Sequence, residues 1–282
     1  MRKKWTGLWF VLPSLLGTAA FVIVPFFASI GYAFTKGTGK VEFAGLANFR
    51  ELFANDAYRL AVKNTLLFIL EGVPLLVILG LLLGIALAGS RFSFQRWAFL
   101  IPMALPTAAA LLGWQAVLGE NGPLNRLVQL CGGTAVDFFT GGFARETLAF
   151  FFLVKNVGYM AVIFAGAVSS LPKEYGEAFA LDSSSKTRYV WHIILPSVRG
   201  MALFVCVLSL MYSFQIFREA YGLYGDRPPQ EAYMLQHFMN NNFYKLNYQR
   251  LSTAALLLVL GISAVLAVFL RRQEKISAEE GM

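Results

Sequence analysis

From Trp5 to Thr35 the chain carries no charged side chain, and five later stretches repeat the pattern. Asn64 to Ser90 carries only Glu71, and Thr147 to Val168 only Lys155. Trp97 to Gly119, Gly200 to Phe217 and Leu251 to Leu270 carry none. A helix that crosses a bilayer needs about 20 mostly apolar residues. Lipid cannot satisfy open backbone, so runs of this kind become helices. The pattern predicts an all-α integral membrane protein with six transmembrane helices, near residues 8–34, 64–89, 97–118, 147–168, 198–217 and 251–270. One membrane domain then covers 1–282. Composition agrees: 57% of residues are hydrophobic and 14% charged, against about a quarter charged in soluble domains.

The first run follows Arg2, Lys3 and Lys4, as a signal peptide would. It is longer than a signal-peptide core, and no small-x-small cleavage site follows it. Pro13 and Pro25 are expected to bend this span without breaking it. Lys and Arg are densest in the short segments that face one side, notably "SRFSFQR" with Arg91 and Arg96, and "RRQEK" with Arg271, Arg272 and Lys275. That bias reads as N-in, C-in. The net charge of +8 is scattered between apolar runs, which fits membrane topology and not a nucleic-acid face. Cys131 and Cys206 sit in unrelated contexts and do not suggest a disulfide. No P-loop, H-E-x-x-H or G-x-S-x-G occurs. His192 and His237 form no ligand cluster, so no metal site and no catalytic residue is expected.

The inside segment 169–196 breaks the apolar pattern with "EAFALDSSSKTRYVWHIILP" from Glu177 to Pro196. Leu171-Pro172 is expected to open a helix, with Ser169 or Ser170 as its cap. Tyr175, Ala178 and Phe179 share one face at helical spacing. Ser183 to Ser185 reads as a turn, with a serine capping a second helix that leads into the fifth span. Periodicity alone leaves open an ordinary basic loop that sets topology.

The spacing resembles the EAA loop of ABC importer permeases. In that pattern Glu-Ala-Ala is followed by three residues, Gly, nine residues, Ile, one residue and Leu-Pro. Glu177, Ala178 and Phe179 fill the first places, Asp182 precedes the glycine place, and Ile193, Leu195 and Pro196 close the pattern. Phe179 replaces an alanine and Ser183 the glycine. If the glycine place needs positive φ, serine costs about 1 kcal/mol more there. "GLANFRELF", "NTL", "PMALPTAAALLGWQAV", "GPLN" and "MLQHFMNNNF" extend the resemblance, toward the carbohydrate branch related to the maltose and glycerol-phosphate importers. Where that branch often has a Gly-Gly-Pro-type turn, this chain has Gly225-Asp226-Arg227-Pro228.

The resemblance implies the type I ABC importer permease fold and a place in the cell membrane. This chain would form half of a pathway for a sugar or oligosaccharide. A dimer of ATPase subunits would bind ATP and magnesium, and this chain no cofactor. A second homologous permease would complete a heterodimer, and an extracellular solute-binding protein would deliver cargo. Tyr175, Ala178 and Phe179 would enter an ATPase groove, and Glu177 would meet a basic group there. Polyamine or glycerol-phosphate cargo, or a stand-alone secondary transporter, are the competing readings.

Candidate cargo contacts are Trp114 and Gln115 in span three, Asn156 and Tyr159 in span four, and Ser209, Tyr212 and Gln215 in span five. Polar groups in membrane bundles also simply bond neighbouring helices. Glu71 and Lys155 each fall roughly 10–12 Å below the outer end of a span at about 1.5 Å per residue. Intramembrane charges are usually paired or turned to a cavity. The expectation is that these two pair with each other or share a polar cavity.

Overall fold

The computed structural model describes residues 3–37, 41–89 and 93–280. Arg2, Lys40, Ser90 and Arg91, which bear on topology, lie outside the described residues. Five helices among the described residues are long and apolar enough to cross a membrane: Trp9–Ala33, Asp56–Ala88, Ala144–Ser169, Arg199–Tyr224 and Tyr248–Glu274. A bent pair, Trp97–Ala104 with Thr107–Leu130, makes the sixth. The contacts form two compact units, Met1–Arg59 with Phe238–Ala264, and Leu60–His237 with Val265–Met282.

In the first unit the opening span stays continuous through its prolines. Pro13 lies inside Lys3–Thr18, and a π turn at Ala19–Ile23 leads into Val24–Ala33. A short antiparallel pair of two-residue strands follows, Thr35–Lys36 with Glu42–Phe43, pairing Thr35 with Phe43 and Lys36 with Glu42. The "GLANFRELF" stretch forms the helix Ala47–Phe53. Buried Asn48 ties it down by donating to the Ala33 and Thr35 carbonyls, each at 2.9 Å.

The second unit is organised by the fourth span, Ala144–Ser169. Phe152 and Phe164 on this helix are fully buried, and Phe152 meets Phe68 of span two edge-on at 5.4 Å. Small residues let the backbones close. A Cβ at Gly84 would stand 2.5 Å from Phe164 Cβ, and one at Gly158 would stand 1.8 Å from the Phe99 carbonyl oxygen. No residue but glycine fits Gly158 without moving the helix Ser93–Ala104.

The third span departs from the uninterrupted helix expected over 97–118. It bends by 99° between Ala104 and Thr107. Pro106 has no N–H for residue 102, disfavours helical geometry at Leu105, and is itself extended with ψ 136°. Residue 102 is also proline, so two successive rungs on one side of the helix are missing. The helix cannot carry both losses and breaks.

Polar side chains bolt the outer connections to this unit. Asn125 of "GPLN" is fully buried, donates to the Gly119 and Val136 carbonyls and accepts from the Val136 N–H at 2.7 Å. Asn64 and Thr65 of "NTL" hold the segment after span five. Asn64 donates to the Gln230 and Tyr233 carbonyls, and Thr65 Oγ1 accepts from the Leu235 N–H at 2.9 Å. Gly225 turns the chain with φ +62°, a left-handed conformation that favours glycine.

Candidate functional site

The segment between spans four and five forms the helix Lys173–Asp182, then Lys186–Tyr189, a π turn Val190–Ile194 and Leu195–Ser197. Pro172 is the N-cap, and no side chain caps this end. Ser170 instead bonds back to the Ala167 carbonyl at 2.7 Å, so the expected serine cap does not form. The cap on the second helix does form: Ser185 Oγ accepts from the Arg188 N–H at 3.4 Å. Ser183 has φ −158°, an extended conformation open to any residue. Serine at the glycine place therefore costs no strain, and its Oγ accepts from the Ser185 N–H at 3.2 Å.

The helix faces are divided differently from the sequence expectation. Phe179 turns toward the chain's own Tyr189, with ring centroids 5.5 Å apart. Gly176, three residues earlier, faces the same tyrosine. Phe179 is thus partly covered from within. The outward apolar stripe is Tyr175, Ala178 and Leu181, with Leu181 89% exposed. Leu181 is missing from the expected set, although its spacing of three from Ala178 was visible in the sequence. Glu177 and Asp182 are exposed, and Glu177 has no ion-pair partner among the described residues. Ile193 and Leu195 are partly buried where the segment enters span five, and Pro196 is exposed.

The break in span three opens a cavity of about 350 Å³ beside span four. Its walls are largely apolar, from Leu105, Gly113, Trp114 and Phe151 among others, and Lys155 and Glu219 are its charged lining residues. Trp114 stacks on Phe151 at 5.5 Å and meets Phe150 edge-on at 5.0 Å. Lys155 Nζ bonds Glu219 Oε1, and Thr107, the first residue after the break, contacts both at 3.5 and 3.3 Å. Glu71 is paired elsewhere, with Arg145 at 3.5 Å. The expected Glu71–Lys155 pair is therefore overturned. Each charge found its partner near the outer end of another span, and Glu71 is not among the residues that line the cavity. Sequence spacing set the depth of the two charges but could not reveal a partner 64 residues away.

His237, in the outer segment, is fully buried between Phe217 and Tyr233, whose ring centroids lie at 5.0 and 5.9 Å. Its Nδ1 accepts from the Met234 N–H at 3.3 Å, and Nε2 has no partner among the described residues. Burial pushes its pKa down to about 4, against a smaller opposing pull from Asp226.

Residues 60–275 match the family of the binding-protein-dependent transport system inner membrane component. The chain belongs to this family. It is similar to the probable ABC transporter permease protein YurN of Bacillus subtilis, 27% identical over 96% of each chain. It is likewise similar to the xylose/arabinose import permease protein XacH of Haloferax volcanii, 27% identical over 84% of this chain and 78% of that one. The crystal structure of a bacterial ABC transporter involved in the import of the acidic polysaccharide alginate shares its fold. The TM-score is 0.81 at 17% identity, over 98% of this chain and 97% of that one. The permease is a multi-pass inner membrane protein with the type I ABC importer fold.

The permease brings some expected cargo groups together and separates others. Tyr159 and Tyr212 meet edge-on at 6.2 Å, joining spans four and five. Asn156 is buried and donates to the Phe152 carbonyl of its own helix at 2.8 Å, which is the structural role. Gln115 and Gln215 are exposed. Ser209 is fully buried, and its hydroxyl has no partner among the described residues. Trp114 and Lys155 do line one cavity, together with Glu219, which lies just beyond the span 198–217 expected from the sequence.

Proposed function

We propose that this permease forms half of the membrane pathway of an ATP-driven importer for a sugar or oligosaccharide, and that the helix Lys173–Asp182 is its contact with the ATPase. The observation that carries the second part is the outward stripe of Tyr175, Ala178 and Leu181 beside Glu177. An apolar stripe on an exposed helix with an unpaired acid at its edge suits insertion into a groove rimmed by basic groups. A pair of ATPase subunits binds ATP and magnesium, and this chain hydrolyses nothing itself. A second six-span permease completes the pathway, and a solute-binding protein outside delivers cargo. Similarity to a xylose/arabinose import permease supports carbohydrate over polyamine cargo, and similarity to an sn-glycerol-3-phosphate permease of Pectobacterium atrosepticum keeps glycerol phosphate as the competing cargo.

The test is co-expression with the neighbouring transport subunits. Leu181→Asp and Glu177→Lys should each lose co-purifying ATPase and ATP-dependent uptake, while the membrane level of the permease holds. Retention of both by both variants would show that the segment only sets topology. Uptake of labelled polyamine or glycerol phosphate, with none of any saccharide, would replace the cargo assignment.

A further inference from the structure

The cavity at the broken span holds one cation and one anion in contact, and among its lining residues no other charge. We propose that the Lys155–Glu219 pair is a charge filter, admitting saccharides without net charge and rejecting their uronate and phosphate counterparts. This rests on the carbohydrate-importer reading above.

The argument begins with what the pair leaves unused. An ammonium group has three donors. Lys155 commits them to Glu219 Oε1 and Thr107 Oγ1, leaving one. Among the described residues Glu219 receives both of its bonds on Oε1, and Oε2 takes none. One free donor and one free acceptor, side by side, match two neighbouring hydroxyls of a sugar ring. One hydroxyl accepts from Lys155 and the next donates to Glu219. The Glu219 side chain is 6% exposed and the Lys155 side chain 26% exposed, so the pair is held in place at the cavity wall and does not sway in solvent. Trp114, fixed against Phe151 and Phe150, adds an apolar surface for the C–H face of the ring.

An anionic sugar gains little in this setting. A carboxylate or phosphate drawn to Lys155 meets the Glu219 carboxylate at almost the same distance. The pair presents a dipole and not a net charge, so its pull on the anion largely cancels. The remaining wall is apolar and cannot replace the water the anion gives up. Rejection thus follows from an uncompensated desolvation cost, and neutral sugars escape it.

The test uses the purified importer complex without its binding protein, so that only the membrane subunits select. Saturation-transfer NMR compares glucose, xylose, maltose and lactose with glucuronate, galacturonate and glucose 6-phosphate. Wild type should bind at least one neutral sugar at least about tenfold tighter than any anionic one. Glu219→Gln exposes an unmatched Lys155 and should shift that ratio toward the anions by about tenfold or more. The double variant Lys155→Gln with Glu219→Gln, which strands no charge, should restore the neutral preference. Trp114→Ala should weaken every neutral sugar. Equal binding of anions by wild type, an unchanged ratio in Glu219→Gln, or no saccharide bound at all would each overturn the filter. ATP-driven saccharide uptake by the complex with its binding protein is measured in parallel. Intact uptake with an unchanged ratio overturns the filter alone, and no uptake by wild type overturns the importer reading.

Discussion

Spans three and four are both apolar and lie side by side, yet one is broken and the other forms the packed centre of its unit. The difference lies in where each keeps its special residues. Span four carries Gly158 where another helix must touch its backbone. Span three carries Pro102 and Pro106 one turn apart, so two missing rungs fall on the same side. Span two also contains a proline, Pro74, and remains one helix from Asp56 to Ala88. A single lost bond is tolerated when neighbours pack closely around it, and two in succession are not. Packing and opening are thus neighbouring outcomes of one composition.

The strongest way to break this comparison is to place the same residue on both spans. Gly158→Leu drives a side chain through the Phe99 carbonyl and should abolish folded permease, read as loss of the monodisperse detergent-solubilised protein. Gly113 has nothing within 4 Å of an added Cβ and lines the cavity. Gly113→Leu should leave the protein folded and stop uptake. If both variants fold equally well, the close approach at span four is not a structural requirement.

Next in size is Lys155→Met, which strands Glu219 with only Thr107 as partner. Removing one member of a buried pair typically costs about 3–5 kcal/mol. A matching fall in thermal stability is expected, with recovery of most of it on adding Glu219→Gln. No fall would mean that water already screens the pair.

Away from both spans, His237 gives a smaller, pH-dependent effect. Its pKa is about 4 in the fold and ordinarily about 6.5. Above the ordinary value both states are neutral and nothing changes. Between the two values the unfolded chain binds the proton and the folded chain does not, so stability falls as pH falls. Below about 4 both bind it and the loss is complete. At pH 5 the loss is roughly 2 kcal/mol, at about 1.4 kcal/mol per pH unit. Melting temperatures at pH 7.5 and 5 should diverge in wild type and converge in His237→Gln. The smallest effect is expected for Thr65→Val, which removes the acceptor for the Leu235 N–H and should cost about 1 kcal/mol.

Much of this architecture was legible in the sequence, because uncharged runs leave a chain few alternatives to spanning helices. The six spans and the inside segment followed from them. The break in span three was less legible: Pro102 and Pro106 were in view, but prolines in span one only bend it, and nothing local says which outcome wins. The partners of Glu71 and Lys155 were hidden because each lies far along the chain, near the outer end of another span. The motif stretches carried information of a different kind. Asn64, Thr65 and Asn125 mark the family pattern, and in the fold they satisfy loop backbone that no regular element could pair.

The π turn at Val190–Ile194 bears on how this permease tolerates change in length. Its bonds skip one residue more than those of an α-helix, so it holds an extra residue within an otherwise ordinary rod. Losing one residue there would convert it to α-helix and leave the turns on either side nearly in phase; losing one from the α-helical turn Lys186–Tyr189, with the π turn kept, would rotate everything before it by about 100° relative to span five, the angle of one residue at 3.6 per turn. The stripe of Tyr175, Ala178 and Leu181 would then point a different way with every side chain intact. The aim of the exposed helix is therefore encoded by a count of residues as much as by their identities.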